Sequence, residues 1–188
     1  MQPGTTIFEH MSGLARQHGA VNLGQGFPDF GWPPEVLAAG AEAITTGYNQ
    51  YPPMRGLPEL RSAVAAFYQR RQGLALTPEQ VIVTSGATEA LAASIMAVAK
   101  PGDEVILFAP AYDAYAPLVQ RAGARPVWVQ LQPPDWQASA EAIAAAITPA
   151  TRAILLNTPH NPTGAMAGSA MLAAIADRAR AHDLVIIS

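Results

Sequence analysis

The feature that most constrains this chain is a rhythm. Short β-branched or apolar runs alternate with stretches of helical spacing, from about residue 81 to the last residue. Val81–Thr84, Glu104–Ala109, Pro126–Leu131, Arg152–Asn157 and Leu184–Ile187 read as strands. Around them Glu35–Thr45, Pro58–Gln72, Ala87–Ala99, Tyr112–Ala122, Ser139–Ile147 and Gly168–His182 read as helices. In the second of these Leu60, Val64, Phe67 and Tyr68 recur at helical intervals, and Pro58 suits a first turn. Strands alternating with helices of this length predict an α/β fold, a mostly parallel sheet with helices on both faces. Uninterrupted apolar strands such as VILF and AILL fit burial on both sides.

The first 34 residues differ in texture. They are rich in glycine, proline and aromatics, with one short helical stretch around Phe8–Ala15. The predicted division is therefore 1–34 as an N-terminal segment and 35–188 as the body of one α/β domain. That domain is expected to be incomplete, because Ser188 falls inside an apolar strand and an unpaired apolar edge invites aggregation.

Composition removes several classes of function. The net charge is −3 with no basic cluster, which argues against a nucleic-acid surface. No run approaches the roughly 20 apolar residues of a membrane span, and no signal peptide is visible in MQPGTTIFEHM. The chain has no cysteine, which removes disulfides, thiolate catalysis and cysteine-bound metals, and suits a reducing cytoplasmic setting. His10, His18, His160 and His182 lack metal-ligand spacing, and neither a P-loop, a GxGxxG string nor a G-x-S-x-G string is present. Lys100 is the single lysine.

Four segments sit where a strand gives way to a loop or in the glycine-rich start, and α/β sheets bind ligands beyond the carboxyl ends of their strands. Thr84-Ser85-Gly86-Ala87-Thr88 offers small residues at a helix start, either an anion site or a plainly capped turn. Asn157-Thr158-Pro159-His160-Asn161-Pro162-Thr163-Gly164 holds Asn161 on a proline-restricted loop, expected to be extended there. It would present an amide to a ligand oxygen or serve as a rigid Asx-Pro turn. Tyr112, in Pro110-Ala111-Tyr112-Asp113-Ala114-Tyr115, would stack on a flat ring or pack on the sheet end. Asn22 to Phe30 (NLGQGFPDF) and Asn49 to Gly56 (NQYPPMRG) are glycine- and proline-rich, and Gly26 permits close approach of a ligand to backbone.

Taken in order, NLGQGFPDF, NQYPPMRGLPELR, VTSGATEAL, GDEVILFAPAYDAY and LNTPHNPTG resemble the class I/II aminotransferases, the fold-type-I pyridoxal 5'-phosphate (PLP) enzymes. They look most like the kynurenine/methionine aminotransferase branch, and the resemblance runs over nearly the whole chain. It implies that Gly86, Ala87 and Thr88 form the phosphate-side turn and that Tyr112 stacks on the pyridine ring. It implies too that Asn161 donates to the ring's phenolic oxygen, with Asn157 close by. Tyr51 would reach the phosphate from the neighbouring subunit of a homodimer; Gly26 and Phe8 would meet the substrate's carboxylate side and side chain. Residues 1–34 would then belong to a small domain at the substrate entrance, and 35–188 to the PLP-binding large domain.

The resemblance also says what is missing. The Schiff-base lysine, the aspartate that pairs with the pyridinium nitrogen and the arginine that grips the substrate carboxylate have no counterpart here, and Lys100 sits in a turn before a strand. No catalytic residue is therefore assigned within the chain. The implied activity of the parent protein is transamination between an amino acid of methionine, glutamine or aromatic type and a 2-oxo acid. The chain alone is expected to be a truncated, inactive part. Two alternatives stay open at this point: a cysteine-conjugate β-lyase of the same fold, and a non-catalytic PLP-fold effector-binding module.

Overall fold

The computed structural model describes residues 6–26, 28 and 30–188. Phe27 and Asp29, from the glycine-rich string, lie outside the described residues. The chain forms two compact units, Met1–Pro52 and Pro53–Ser188.

The first unit carries α1 (Ile7–His18) and α2 (Pro34–Thr46). Thr6 starts α1 by accepting from the Glu9 N–H at 3.2 Å, and Gly19 ends it in the left-handed conformation. The strand-free string that follows folds back on α1. Asn22 donates through Nδ2 to Ser12 Oγ at 2.9 Å while its Oδ1 accepts from the Gly24 N–H at 3.0 Å. Gly24 is there because a Cβ would lie 2.8 Å from Met11 Cβ. Neither helix buries a residue, and the apolar stripe Val36, Leu37 and Ile44 of α2 is exposed.

The second unit runs α3 (Pro58–Gln72), a 3₁₀ turn (Pro78–Gln80), α4 (Gly86–Val98), β1 (Glu104–Ala109), α5 (Tyr115–Arg121), β2 (Arg125–Gln130), α6 (Ala140–Ala145), β3 (Thr151–Leu155), α7 (Ser169–His182) and β4 (Val185–Ile187). The four strands lie in the order β2-β1-β3-β4 and every pair is parallel. This is the predicted mostly parallel sheet. Strand periodicity divides the core in two. Val105, Leu107, Ala153 and Leu155 pack with Ile95, Tyr115 and Val119 from α4 and α5. Ile106, Phe108, Ile154 and Leu156 pack with Ile143, Met171 and Ile175 from α6 and α7. Each fully buried aliphatic side chain contributes roughly 1.5–3 kcal/mol, so both faces, not one, hold the sheet.

Three sequence expectations change. Val81–Thr84 is not a sheet strand: its Val83 N–H donates to the Arg55 carbonyl at 3.1 Å, and no ladder forms along it among the described residues. β-branched residues favour extended backbone, but a strand also needs a neighbour to take its polar groups. The helix predicted from Tyr112 begins at Tyr115, because Pro117 fits only a first turn. The last predicted strand-to-loop junction moves back: β3 ends at Leu155, and Asn157 belongs to the loop. Among the described residues no helix is long and apolar enough to cross a membrane.

Candidate functional site

Parallel strands put all their carboxyl ends on one edge of the sheet, so the loops after β1 and β3 share that edge. α4 joins them there. Its last residue, Val98, leads through a tight turn into the start of β1, where the Asp103 N–H donates to the Lys100 carbonyl at 3.0 Å. A helix of 13 residues spans about 20 Å, close to the length of a six-residue strand. Returning antiparallel to β1, α4 therefore presents its N-terminus, Gly86, at the carboxyl edge.

That N-terminus is open. No side chain caps α4, so N–H groups of its first turn keep their positive end outward. Gly86 has φ +81°, a conformation that L side chains rarely adopt, and a Cβ there would meet nothing within 4 Å. The Thr84 hydroxyl donates to the Gly86 carbonyl at 3.0 Å, and the Glu89 carboxylate accepts from the Ser85 N–H. Both contacts shape the turn from behind and leave Gly86, Ala87 and Thr88 exposed.

The loop after β3 is held from within. The Asn161 N–H donates to Asn157 Oδ1 at 2.7 Å, the His160 N–H to the Ala165 carbonyl at 2.8 Å, and the Gly164 N–H to the His160 carbonyl at 2.7 Å. Thr158 Oγ1 accepts from the Ala167 N–H at 3.0 Å, and Gln137 Oε1 accepts from the Gly168 N–H at 2.9 Å. Asn161-Pro162-Thr163 forms a turn rather than a continuing extended run, and Asn161 is exposed at its crest. One carbonyl of Asn157 is thus spent on orienting Asn161, and its NH2 is the end that can address a ligand.

Tyr112 lies in the loop after β1, half-buried, with its ring 5.6 Å from that of Tyr115 in an edge-to-face contact at 71°. Burial, and then the neighbouring Tyr112, raise the Tyr115 hydroxyl above its ordinary pKa, so Tyr115 stays neutral support for the Tyr112 ring. An open recess lies beside Tyr112, lined also by Ala111, Asp113, Trp128 and Gln130. Gly86–Thr88, Tyr112, Asn157 and Asn161 therefore belong to one edge of one sheet. Phe8, Gly26 and Tyr51 are carried by the first unit: Phe8 is half-buried in α1, and Gly26 and Tyr51 are exposed. Lys100 is exposed in the turn before β1, at the opposite edge from the loops, where its N–H donates to Asp103 Oδ2 at 2.8 Å. Among the described residues no cluster of metal-binding side chains occurs.

Sequence reasoning passed over two groups. His160 was set aside as a metal ligand, yet among the described residues it is one of three buried polar or charged ones, with Glu104 and Thr151. Its signal was its place between the two prolines of the Asn161 loop. Gln137, which ties the stretch before α6 to the far end of that loop, carried no signal in its neighbours.

Comparison with known proteins fits this geometry. The family model for aminotransferase class I and II matches residues 18–188. The probable N-succinyldiaminopimelate aminotransferase DapC of Mycobacterium tuberculosis is 50% identical over 187 residues, covering 98% of this chain and 47% of the relative. The solved structure of that M. tuberculosis N-succinyldiaminopimelate aminotransferase superposes with a TM-score of 0.93 over 97% of this chain and 48% of its own. The methionine aminotransferase of Escherichia coli is 43% identical over 188 residues, covering all of this chain and 49% of the relative. The solved structure of E. coli YbdL, for which a methionine aminotransferase function is described, gives a TM-score of 0.92 at 42% identity, over 98% of this chain and 49% of its own. This chain spans about half the length of the curated relatives it matches. By the match over residues 18–188, the chain belongs to the class I and II aminotransferase family.

Proposed function

We propose that the protein carrying this chain is a PLP-dependent aminotransferase that moves an amino group from an amino acid to a 2-oxo acid. The observation that carries the proposal is the uncapped, glycine-opened start of α4 on the same sheet edge as Tyr112 and Asn161. A phosphate needs donors and room, and the first turn of α4 offers N–H groups, the Thr88 hydroxyl and no Cβ at Gly86. A pyridine ring needs a flat partner, which Tyr112 supplies, and its phenolic oxygen needs a donor, which the Asn161 amide supplies. The donor set fits the coenzyme.

When bound, PLP supplies an electron sink for bond breaking at the α-carbon of an amino acid. The work of this chain is to hold and tune. Gly86, Ala87 and Thr88 would hold the phosphate, Tyr112 would stack on the ring, and Asn161, set by Asn157, would stabilise negative charge on the phenolic oxygen. Gly26 and Phe8 are proposed to face the substrate, and Tyr51 to reach the phosphate of a second subunit in a homodimer. On this reading residues 1–34 serve a smaller domain at the substrate entrance and 35–188 serve the coenzyme domain. A cytoplasmic location suits a chain with no cysteine.

Proton transfer in this chemistry needs a lysine at the coenzyme, and Lys100 stands in the turn at the other edge. The 188-residue chain by itself is therefore expected to show no measurable transamination, and rapid turnover by it would overturn the argument from Lys100.

Methionine, glutamine or an aromatic amino acid is the proposed donor, supported by the E. coli methionine aminotransferase and by the rat kynurenine–oxoglutarate transaminase 1, which is 37% identical. A second reading, N-succinyldiaminopimelate as the amino-group substrate, is favoured by the 50% identical mycobacterial relative. Turnover of each donor with a 2-oxo acid by the full-length protein decides between them. Faster reaction of methionine supports the first, preference for the succinylated diamine selects the second, and no transamination of any donor ends the proposal.

A further inference from the structure

Among the described residues the Asn161 side chain finds no hydrogen-bond partner, so its aim is set by the backbone beneath it. That backbone has an outgoing limb, 157–160, and a return limb, 165–168, tied to each other. The His160 N–H donates to the Ala165 carbonyl at 2.8 Å, and the Ala167 N–H donates to Thr158 Oγ1 at 3.0 Å. Behind the buried His160 ring lies a cavity of about 10 Å³, which Trp136 also lines. That is at the lower limit for one water molecule, so the loop rests on packed side chains.

The return limb is also gripped from a distant part of the chain. Gln137 Oε1 accepts from the Gly168 N–H at 2.9 Å, and Gln137 Nε2 donates to the Met166 carbonyl at 3.0 Å. Thr158 thus takes Ala167, while Gln137 takes its neighbours on either side. One side-chain amide addresses a carbonyl and the N–H two residues on, as a neighbouring strand would. Gly168 is the N-cap of α7 and has no side-chain cap, so the grip also fixes where that helix begins.

Gln137 is itself held in place. Its carbonyl accepts from the Gln132 N–H at 3.1 Å, the Trp136 N–H donates to the Gln132 carbonyl at 2.8 Å, and Gln137 Nε2 also donates to the Asp135 carbonyl at 2.9 Å. Leu131 and Ala138, which flank this turn, are buried in the core. Trp136 has φ +52°, a conformation rare for a bulky residue and kept only where the surroundings fix it. Its side chain packs against the same core, so one turn anchors itself through Trp136 and reaches the loop through Gln137.

We propose that Gln137 is a positioning residue: by holding Met166 and Gly168 it fixes the return limb of the loop, and so the aim of the Asn161 amide at the phenolic oxygen of a bound coenzyme. This rests on the PLP reading above. Gln137 makes no contact with the coenzyme in this scheme; it acts through the loop. A purely structural role would change stability alone, whereas a positioning role changes the properties of bound coenzyme in molecules that are fully folded.

The experiment uses the full-length protein and compares wild type with Gln137→Met, Gln137→Glu and Thr158→Val. Amide hydrogen exchange over 157–168 is read without coenzyme. The PLP dissociation constant and the apparent pKa of the visible absorption band are read on the folded, loaded fraction. A donor aimed at the phenolic oxygen stabilises its anion and lowers that pKa, so a displaced Asn161 raises it. Gln137→Met keeps length and removes the grip. It should speed exchange in the loop by about tenfold and weaken PLP binding about fivefold, the scale of one net hydrogen bond. The absorption pKa should rise by roughly half a unit. Gln137→Glu keeps the acceptor for Gly168 but loses the donor for Met166, and should fall between wild type and Gln137→Met. Thr158→Val releases the same limb at Ala167 and should shift all three readings in the same direction; it carries the test if Gln137→Met does not fold. Faster exchange with an unmoved absorption pKa and unchanged PLP affinity would overturn the positioning role and leave the proposed function standing. A moved absorption pKa with unchanged exchange over 157–168 would overturn it too, because the effect would not run through the loop. Failure of the wild type to bind PLP would remove both readings.

Discussion

The two ends of the sheet are built to opposite rules. At the amino end the Glu104 carboxylate, 5% exposed, receives the Arg125 guanidinium, the Thr148 hydroxyl at 2.7 Å and the Thr151 hydroxyl at 3.4 Å. Arg125 pairs with Glu104 across the β1–β2 register, and Thr151 pairs with it across β1–β3. One side chain thus ties three strands, and both of its oxygens are engaged within the chain. At the carboxyl end the first turn of α4 has no cap and Asn161 crests an exposed turn. The polar contacts there shape backbone from behind and leave donors pointing out. Groups satisfied within the chain contribute stability; donors held rigidly without partners mark a place for something else.

If that contrast is right, changes at the amino end should cost stability and spare ligand affinity, with the reverse at the carboxyl end. The largest expected effect is Glu104→Ala. It strands two threonine hydroxyls and an arginine whose side chain is largely exposed, so the loss is set nearer hydrogen bonds than a fully buried ion pair, about 3 kcal/mol. Urea denaturation of the full-length protein should show it, with PLP affinity of the folded fraction unchanged. Gly86→Ala comes next. With open space around the added Cβ, its cost is conformational, about 1–2 kcal/mol. Because Gly86 opens the turn proposed to hold the phosphate, PLP affinity measured by fluorescence should fall by more than the melting temperature alone accounts for.

Asn161→Ala should move the balance furthest toward function. Its backbone N–H keeps the Asn157 contact, so apo stability is expected to stay within about 0.5 kcal/mol. Transamination by the full-length protein should drop at least about tenfold, the scale of one lost charge-stabilising donor. A large drop in apo stability with unchanged turnover would reverse the assignment of the two ends.

How much of this was readable beforehand follows from how local each determinant is. Glu104–Ala109 was read to the residue because an uninterrupted apolar run and flanking turn residues are properties of the segment itself. The start of α4 was readable for a similar reason, since Gly, Ser and Thr before an alanine-rich run announce a helix start. Val81–Thr84 misled because strand formation depends on a neighbour, and β-branching says only that the backbone is extended. The start of α5 was misjudged by three residues although Pro117 was in view. Apolar spacing from Tyr112 onward masked the limit that a proline places on a helix start. Nothing local marked Glu104 as a tie between strands. Its partners Arg125, Thr148 and Thr151 are 21, 44 and 47 residues away, and only the parallel register brings them together. Residue types at the candidate site were legible in the PHNPTG and SGAT strings, but the carbonyl of Asn157 turning back to the Asn161 N–H was not.

The smallest effect tests the carboxyl end through pH. In the unfolded chain His160 titrates near 6.5, and in the folded chain burial holds its pKa lower. Between the two values the unfolded chain binds more protons, so stability that is fully present above about pH 6.5 declines as pH falls and levels off below the folded value. No charged side chain lines the cavity behind the ring, so burial dominates the shift. Carboxylates elsewhere also titrate at the acid end, and the informative quantity is therefore the difference between wild type and His160→Gln. Their urea midpoints, compared at about pH 7.5 and pH 5.5, should converge at the lower pH, because the variant has no imidazole to protonate. Parallel curves would mean that the ring is as easily charged in the folded protein as outside it. The inward-facing histidine would then be a solvated part of the open end instead of the closed support beneath it.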